Sequence, residues 1–209
     1  MLGTRFYNES IRKVLVAFGS LFNNIDIQRS DGTNTEIIKV PLSYAPRARF
    51  RQRLAAGQTD GTEVEVSLPR MSFEWTDISY DSARKLNTMQ RMASINSSDA
   101  TKLDYRWQRV PYELTFNVGI YATNTEDGLK IIEQILPFFT PEFNVTINAI
   151  SDLGVKLDVP ISFNSASLED TFDGEFTTRR TLIWTLDFFM KGFLYPDIKG
   201  GGKLLKVFK

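Results

Sequence analysis

Residues 176–196 read "FTTRRTLIWTLDFFMKGFLYP". In an extended chain Leu182, Trp184, Leu186 and Phe188 fall on one side, and Thr181, Ile183, Thr185 and Asp187 on the other. Alternation at a period of two, carried by branched and aromatic residues, predicts a strand with one face on a core. "YELTFNVGIYA" (112–122) repeats the pattern with Leu114, Phe116, Val118 and Ile120. "FNVTINAI" (143–150) and "VKLDVPISFNSASL" (155–168) continue it, with turns at "SDLG" and "EDTFDGE". Upstream, "TEVEVSLPRMSFEWTDISYD" (62–81) reads as one long strand bent at Pro69.

Two segments change period. In "NESIRKVLVAFGSLFNN" (8–24), Ile11, Val14, Leu15, Phe18, Leu21 and Phe22 follow the i, i+3, i+4, i+7 rule of an amphipathic helix. Asn8 or Ser10 suits its cap, and Gly19 lies within the stripe, where another backbone can come close. "TNTEDGLKIIEQILPFF" (123–139) is a second such helix, capped from Thr123–Thr125, with Glu126 and Asp127 in the favourable first turn and Pro137 closing it. Between the first helix and residue 46, "IDIQRSDGTNTEIIKVPL" (25–42) reads as two short strands around "SDGTN". The fold class is therefore α+β, a mostly antiparallel β-sheet flanked by at least two amphipathic helices. Residues 1–197 form the domain, residues 82–104 a polar excursion with one helix, and residues 198–209 an arm. Gly200–Gly202 read as its flexible joint. The segment "KLLKVFK" beyond carries Leu204, Leu205, Val207 and Phe208, which suits adding a strand to a neighbouring subunit.

"RARFRQRL" (47–54) is the least ordinary stretch, with Arg47, Arg49, Arg51 and Arg53 at alternate positions and no acid among them. As a strand it would put all four on one face. Pro46 before it and Gly57 after it favour a helix, in which Phe50 and Leu54 form the apolar stripe. Arg47/Arg51 and Arg49/Arg53 then become like-charge i, i+4 pairs, each costing about 0.2–0.5 kcal/mol. The offset has to come from elsewhere in the fold or from a partner.

The chain as a whole is neutral, with 25 basic and 25 acidic residues among 209. At this length a globule buries on the order of 70% of its unfolded surface. Sixteen Phe, seven Tyr and three Trp supply large side chains for that core. Absence of Cys excludes disulfides, thiolate metal sites and a Cys nucleophile, and absence of His removes the usual base and zinc ligand. No P-loop, dinucleotide fingerprint or zinc spacing is present, and Asp77 and Asp81 have no third acid at a nuclease-like spacing. No catalytic, cofactor-binding or metal site is expected, and the chain reads as a binding or structural protein. The N-terminus has no signal-peptide pattern and no apolar run reaches the ~20 residues of a membrane span, so a soluble protein made in a cytoplasm is expected.

The densest negative charge is "SLEDTFDGE" (167–175), with Glu169, Asp170, Asp173 and Glu175. It does not match a calcium loop. It suits the arginine helix of an adjacent copy in a head-to-tail ring. Phosphate is the other candidate for the arginines, with Arg179 and Arg180 elsewhere. Four phosphate contacts would give a salt slope of about −3.6. The neutral balance and the lack of a recognisable nucleic-acid motif limit this to non-specific contact with DNA.

Several stretches together resemble the tail sheath stabiliser, or tail completion, family of contractile-tailed phages of the T4 type. They are "FYNESIRK" (6–13), "FGSLFNNIDIQR" (18–29), "IKVPLSY" (38–44), "LPRMSFEWTDISY" (68–80), "PYEL" (111–114), "EDGLKIIEQILPFFTPEF" (126–143) and "DGEFTTRRTLIWTLDFFMKGFLYP" (173–196). The resemblance implies a tail-terminator-like fold and a homo-oligomer, a hexameric ring at the head-proximal end of the tail. It implies as partners the tail sheath protein, the tail terminator and the neck proteins, with DNA passing through the ring. It implies a place in the virion and no catalytic residues. A neighbouring tail terminator ring is the alternative within the same class.

Overall fold

The computed structural model describes residues 5–30, 35–56, 67–95, 99, 102–150, 155–170, 181–197 and 199–203. In chain order its elements are α1 (Ser10–Leu21), β1 (Asp26–Ser30), β2 (Thr35–Lys39), β3 (Leu42–Tyr44), α2 (Arg47–Ala56), β4 (Arg70–Tyr80), β5 (Arg91–Ile95) and β6 (Lys102–Trp107). There follow β7 (Val110–Ala122), α3 (Thr125–Ile135) with a 3-10 turn at Leu136–Phe138, β8 (Glu142–Ile150), β9 (Val155–Asp170), β10 (Leu182–Leu194) and β11 (Lys199–Lys203).

The two most strongly alternating segments, β7 and β10, pair antiparallel at the centre of a six-stranded sheet, from Leu182 opposite Ala122 to Leu194 opposite Val110. The sheet order is β3-β4-β7-β10-β9-β8, antiparallel except where β3 runs parallel to β4. One face collects Met71, Phe73, Phe116, Val118, Ile120, Leu186, Phe188, Val159 and Ile161, all buried, beneath α1 and α3. Phe18 of α1 is its centre, fully buried and stacked on Phe116 with ring centroids 4.2 Å apart. Phe22, Phe73 and Phe188 surround it at 5.1–5.9 Å. Gly19 is required by that packing, because a Cβ there would lie 2.7 Å from Cζ of Phe73. What it admits is an aromatic ring rather than a backbone.

Neither expected cap forms at the start of α1. Glu9 takes the cap position at φ 54° without a side-chain cap bond, and Asn8 instead donates to the Tyr195 carbonyl at 2.8 Å. The tie holds the helix start to the end of β10 and uses the amide that a local cap would have needed. The β1–β2 hairpin forms as expected, from Asp26 opposite Lys39 to Ser30 opposite Thr35. Its outer edge is covered by α3. Lys130 donates to the Gln28 carbonyl at 3.0 Å and Gln134 to the Asp26 carbonyl at 2.9 Å. Four residues of helix rise about 6 Å and two residues of strand about 6.6 Å, so the two repeats match. Arg29 completes the row, donating to the buried Asp127 carboxylate at 2.5 and 3.3 Å. Asp127 therefore serves tertiary pairing as well as the helix dipole.

Two further expectations differ from the structure. In the polar excursion no helix occurs among the described residues; β5 and β6 form an antiparallel pair with Arg91 opposite Trp107. The Arg91 guanidinium lies over the Trp107 and Tyr105 rings, at 4.3 and 5.2 Å, so a polar residue supplies apolar cover and hides the strand from a hydrophobicity pattern. Gly200–Gly202, read as a flexible joint, lie within strand β11 on the other edge of β6, with Lys199 opposite Tyr105. Glycine has no side chain to oppose extended pairing, and the ladder needs only backbone. Strand 62–81 is described from residue 67, and β4 begins at Arg70, just after the expected bend.

Candidate interface: the arginine helix and the face it covers

The second face of the six-stranded sheet carries Arg70, Tyr121, Ile183 and Glu169 in one cross-strand row, each directly opposite the next from β4 to β9. Tyr121 and Ile183 are buried there with Leu68 packed on them. Tyr121 shares a 3.2 Å hydrogen bond with Ser72, and burial pushes its phenol pKa up, against a smaller downward pull from Ser72 and from Arg47 and Arg51. Those two arginines belong to the helix above. Pro46 opens α2, its carbonyl accepting from Arg49 N–H at 3.0 Å, and its fixed φ suits a first turn.

Arg47 and Arg51, one turn apart on α2, both donate to Oε2 of Glu169 on β9. The helix thus reaches across the row from the β4 side towards β9. One carboxylate draws together two guanidiniums that would otherwise repel along the helix, and it belongs to the same chain. Arg47, Arg51 and Glu169 keep 29%, 39% and 45% of their side-chain surface, so the cluster is half-wet. Both arginine Nε groups are buried without an acceptor among the described residues, and the pairing to Glu169 uses a terminal nitrogen of each guanidinium.

Four arginines divide by helical spacing into two pairs. Arg47 and Arg51 face the sheet. Arg49, two positions round the helix, is exposed and makes no ion pair among the described residues. Arg53 stands one turn beyond Arg49; its side chain, like those of Phe50 and Leu54, lies outside the described residues. Of the acidic segment, Glu169 and Asp170 close β9 and are exposed, whereas Asp173 and Glu175 lie outside the described residues, as do Arg179, Arg180, Leu204, Leu205, Val207 and Phe208.

A sequence model described as "T4-like virus Myoviridae tail sheath stabiliser" matches residues 5–208. The chain belongs to that family. It is 31% identical over 209 residues to the tail completion protein gp15 of Enterobacteria phage T4, covering 97% of this chain and 76% of that one. It is a structural protein of the virion tail in a T4-like contractile-tailed phage.

In this family member, the stretches that carried the resemblance include parts of α1, β1, β3, β4, β7, α3 and β10, and all of these but β1 belong to the six-stranded sheet or cover its core face. Sequence reasoning missed two features. The Arg29–Asp127 pair was hidden because its partners are 98 positions apart. The cover over Phe193, whose ring lies 5.0 Å from the Arg84 guanidinium and 4.2 Å from that of Arg109, comes from one arginine of the polar excursion and one just beyond it, neither marked by an apolar pattern. Among the described residues no group of acids could hold a metal ion, and no helix of the described chain is long and apolar enough to cross a membrane.

Proposed function

We propose that this protein is a ring subunit, six copies to a ring, that caps the head-proximal end of the tail. There it holds the extended sheath and offers the neck proteins a docking surface. The observation that carries the reading is the family match through residues 5–208. A cap that resists sheath relaxation works by many modest contacts, over an area above roughly 1,000 Å² per interface. Arg49 and Arg53, the second i, i+4 pair of α2, supply one such contact. Arg47 and Arg51 are held by Glu169, which leaves Arg49 and Arg53 to meet acids of a neighbouring copy, Asp170, Asp173 and Glu175. Head-to-tail contact brings those unlike faces together around a closed ring.

The test is replacement of Arg49 and Arg53 by Gln in the full chain. A chain that melts as the parent does but assembles more weakly supports the reading. Unchanged ring formation and unchanged tail yield contradict it. Filter binding of the ring to duplex DNA separates the alternative: a salt slope of about −1.8, lost in the double variant, would assign these two arginines to phosphate.

A further inference from the structure

Where the C-terminal ends of α1 and α3 meet the 3-10 turn, the core opens into an apolar groove of about 500 Å³. Phe22, Ile25, Phe139 and Phe143 line it, and Phe138 stands at its rim, 65% exposed. Among the described residues no lysine or arginine lines it, and Glu133 supplies a carboxylate. Exposed aromatic surface on a concave site marks a binding surface. Residues 203–209, "KLLKVFK", have the complementary pattern. At 100° per residue, Leu204, Leu205, Val207 and Phe208 fall on one arc and Lys203, Lys206 and Lys209 on the other. The family match includes this segment to residue 208.

We propose that the groove receives residues 204–208 of a second copy, the apolar arc against the phenylalanines and the lysines towards Glu133. This rests on the reading that copies associate, and it names a contact that reading does not contain. The occupant comes from another copy because of reach. The groove is at the far end of α1, about 18 Å from the first turn, which Asn8 ties to Tyr195. From Tyr195 the chain enters β11, which follows β6 towards Lys102, the end remote from β7, with its substantial contacts to β6. The next five residues span at most about 18 Å. They start displaced from Tyr195 by the length of β11, on a strand that runs away from β7, whereas the groove lies along α1 on the main sheet, which favours a second copy as the occupant.

The absence of Cys allows a direct test. Full-length Phe138→Cys and Val207→Cys chains are mixed, allowed to assemble and treated with a short bis-maleimide. A covalent heterodimer formed in the mixture, and much less by either variant alone, is the expected result. In the doubly substituted chain, inter-chain ladders are expected; an intrachain link means that the segment folds onto its own groove and overturns the proposal. Assembly without the mixed link overturns it too, while leaving the ring reading standing. If the chains do not associate, both fall. Phe208→Asp is expected to raise the assembly midpoint concentration about tenfold; an unchanged midpoint contradicts the contact.

Discussion

Glu169→Gln is the substitution that most sharply separates cohesion within the chain from contact between chains. It keeps the side-chain shape and removes the charge that Arg47 and Arg51 share. At 29–45% exposure each ion pair is partly screened, so each is worth on the order of 0.5–1 kcal/mol. The Arg47/Arg51 repulsion, about 0.2–0.5 kcal/mol, is then uncompensated. The loss comes to roughly 1–2.5 kcal/mol, a fall in Tm of about 2–10 °C for a domain of this size. Thermal melts of the dilute protein in low and in molar salt provide the assay. The difference between parent and variant is expected to shrink in high salt, where the Debye length falls to about 3 Å. A variant that melts with the parent at low salt would refute the reasoning, and so would a deficit independent of salt.

Other substitutions test the packing. Arg29→Ala strips the partner from a carboxylate that is only 4% exposed and is expected to cost roughly 2–3 kcal/mol in urea unfolding, whereas the same change at exposed Arg12 stays within about 0.5 kcal/mol. Gly19→Ala gains helix propensity of about 1 kcal/mol but drives a methyl against Phe73; overpacking of about 1–3 kcal/mol makes the net effect destabilising, and Phe73→Leu in the same chain is expected to recover part of it by the same measurement. Hydrogen bonds from Arg84 hold the Asp81 carboxyl below its usual range, opposed by a smaller desolvation effect. A depressed folded pKa gives stability that is present above about pH 4 and lost as pH falls through the folded value. Melts of Asp81→Asn are therefore expected to lie below the parent at neutral pH and to converge with it only in acid.

Much of this fold is legible because its periodicities are local. The alternation of 182–188 and the 3.6-residue stripe from Ile11 to Phe22 each mark a buried face without knowledge of what covers it. α2 is legible through Pro46, although its charges argue against a solitary helix. The missing parts are those in which one side chain does a distant job. Asn8 looks like a cap and ties β10; Asp127 looks like a dipole partner and anchors a hairpin. β5 and β6 conceal a strand pair because arginine stacked on aromatic rings replaces the apolar residues that a pattern would register. In the candidate interface, the run of arginines was visible at once, but the holding of Arg47 and Arg51 within the chain depends on Glu169, 122 positions from Arg47.

The central claim is that copies of this chain close into a ring through faces that include Arg49 and Arg53. Native mass measurement of the purified full chain tests it most directly. Six copies of the 23.9-kDa chain are predicted, about 143 kDa, with the Arg49→Gln/Arg53→Gln variant shifted towards smaller species. A single 23.9-kDa particle at every concentration, identical for parent and variant, would contradict it.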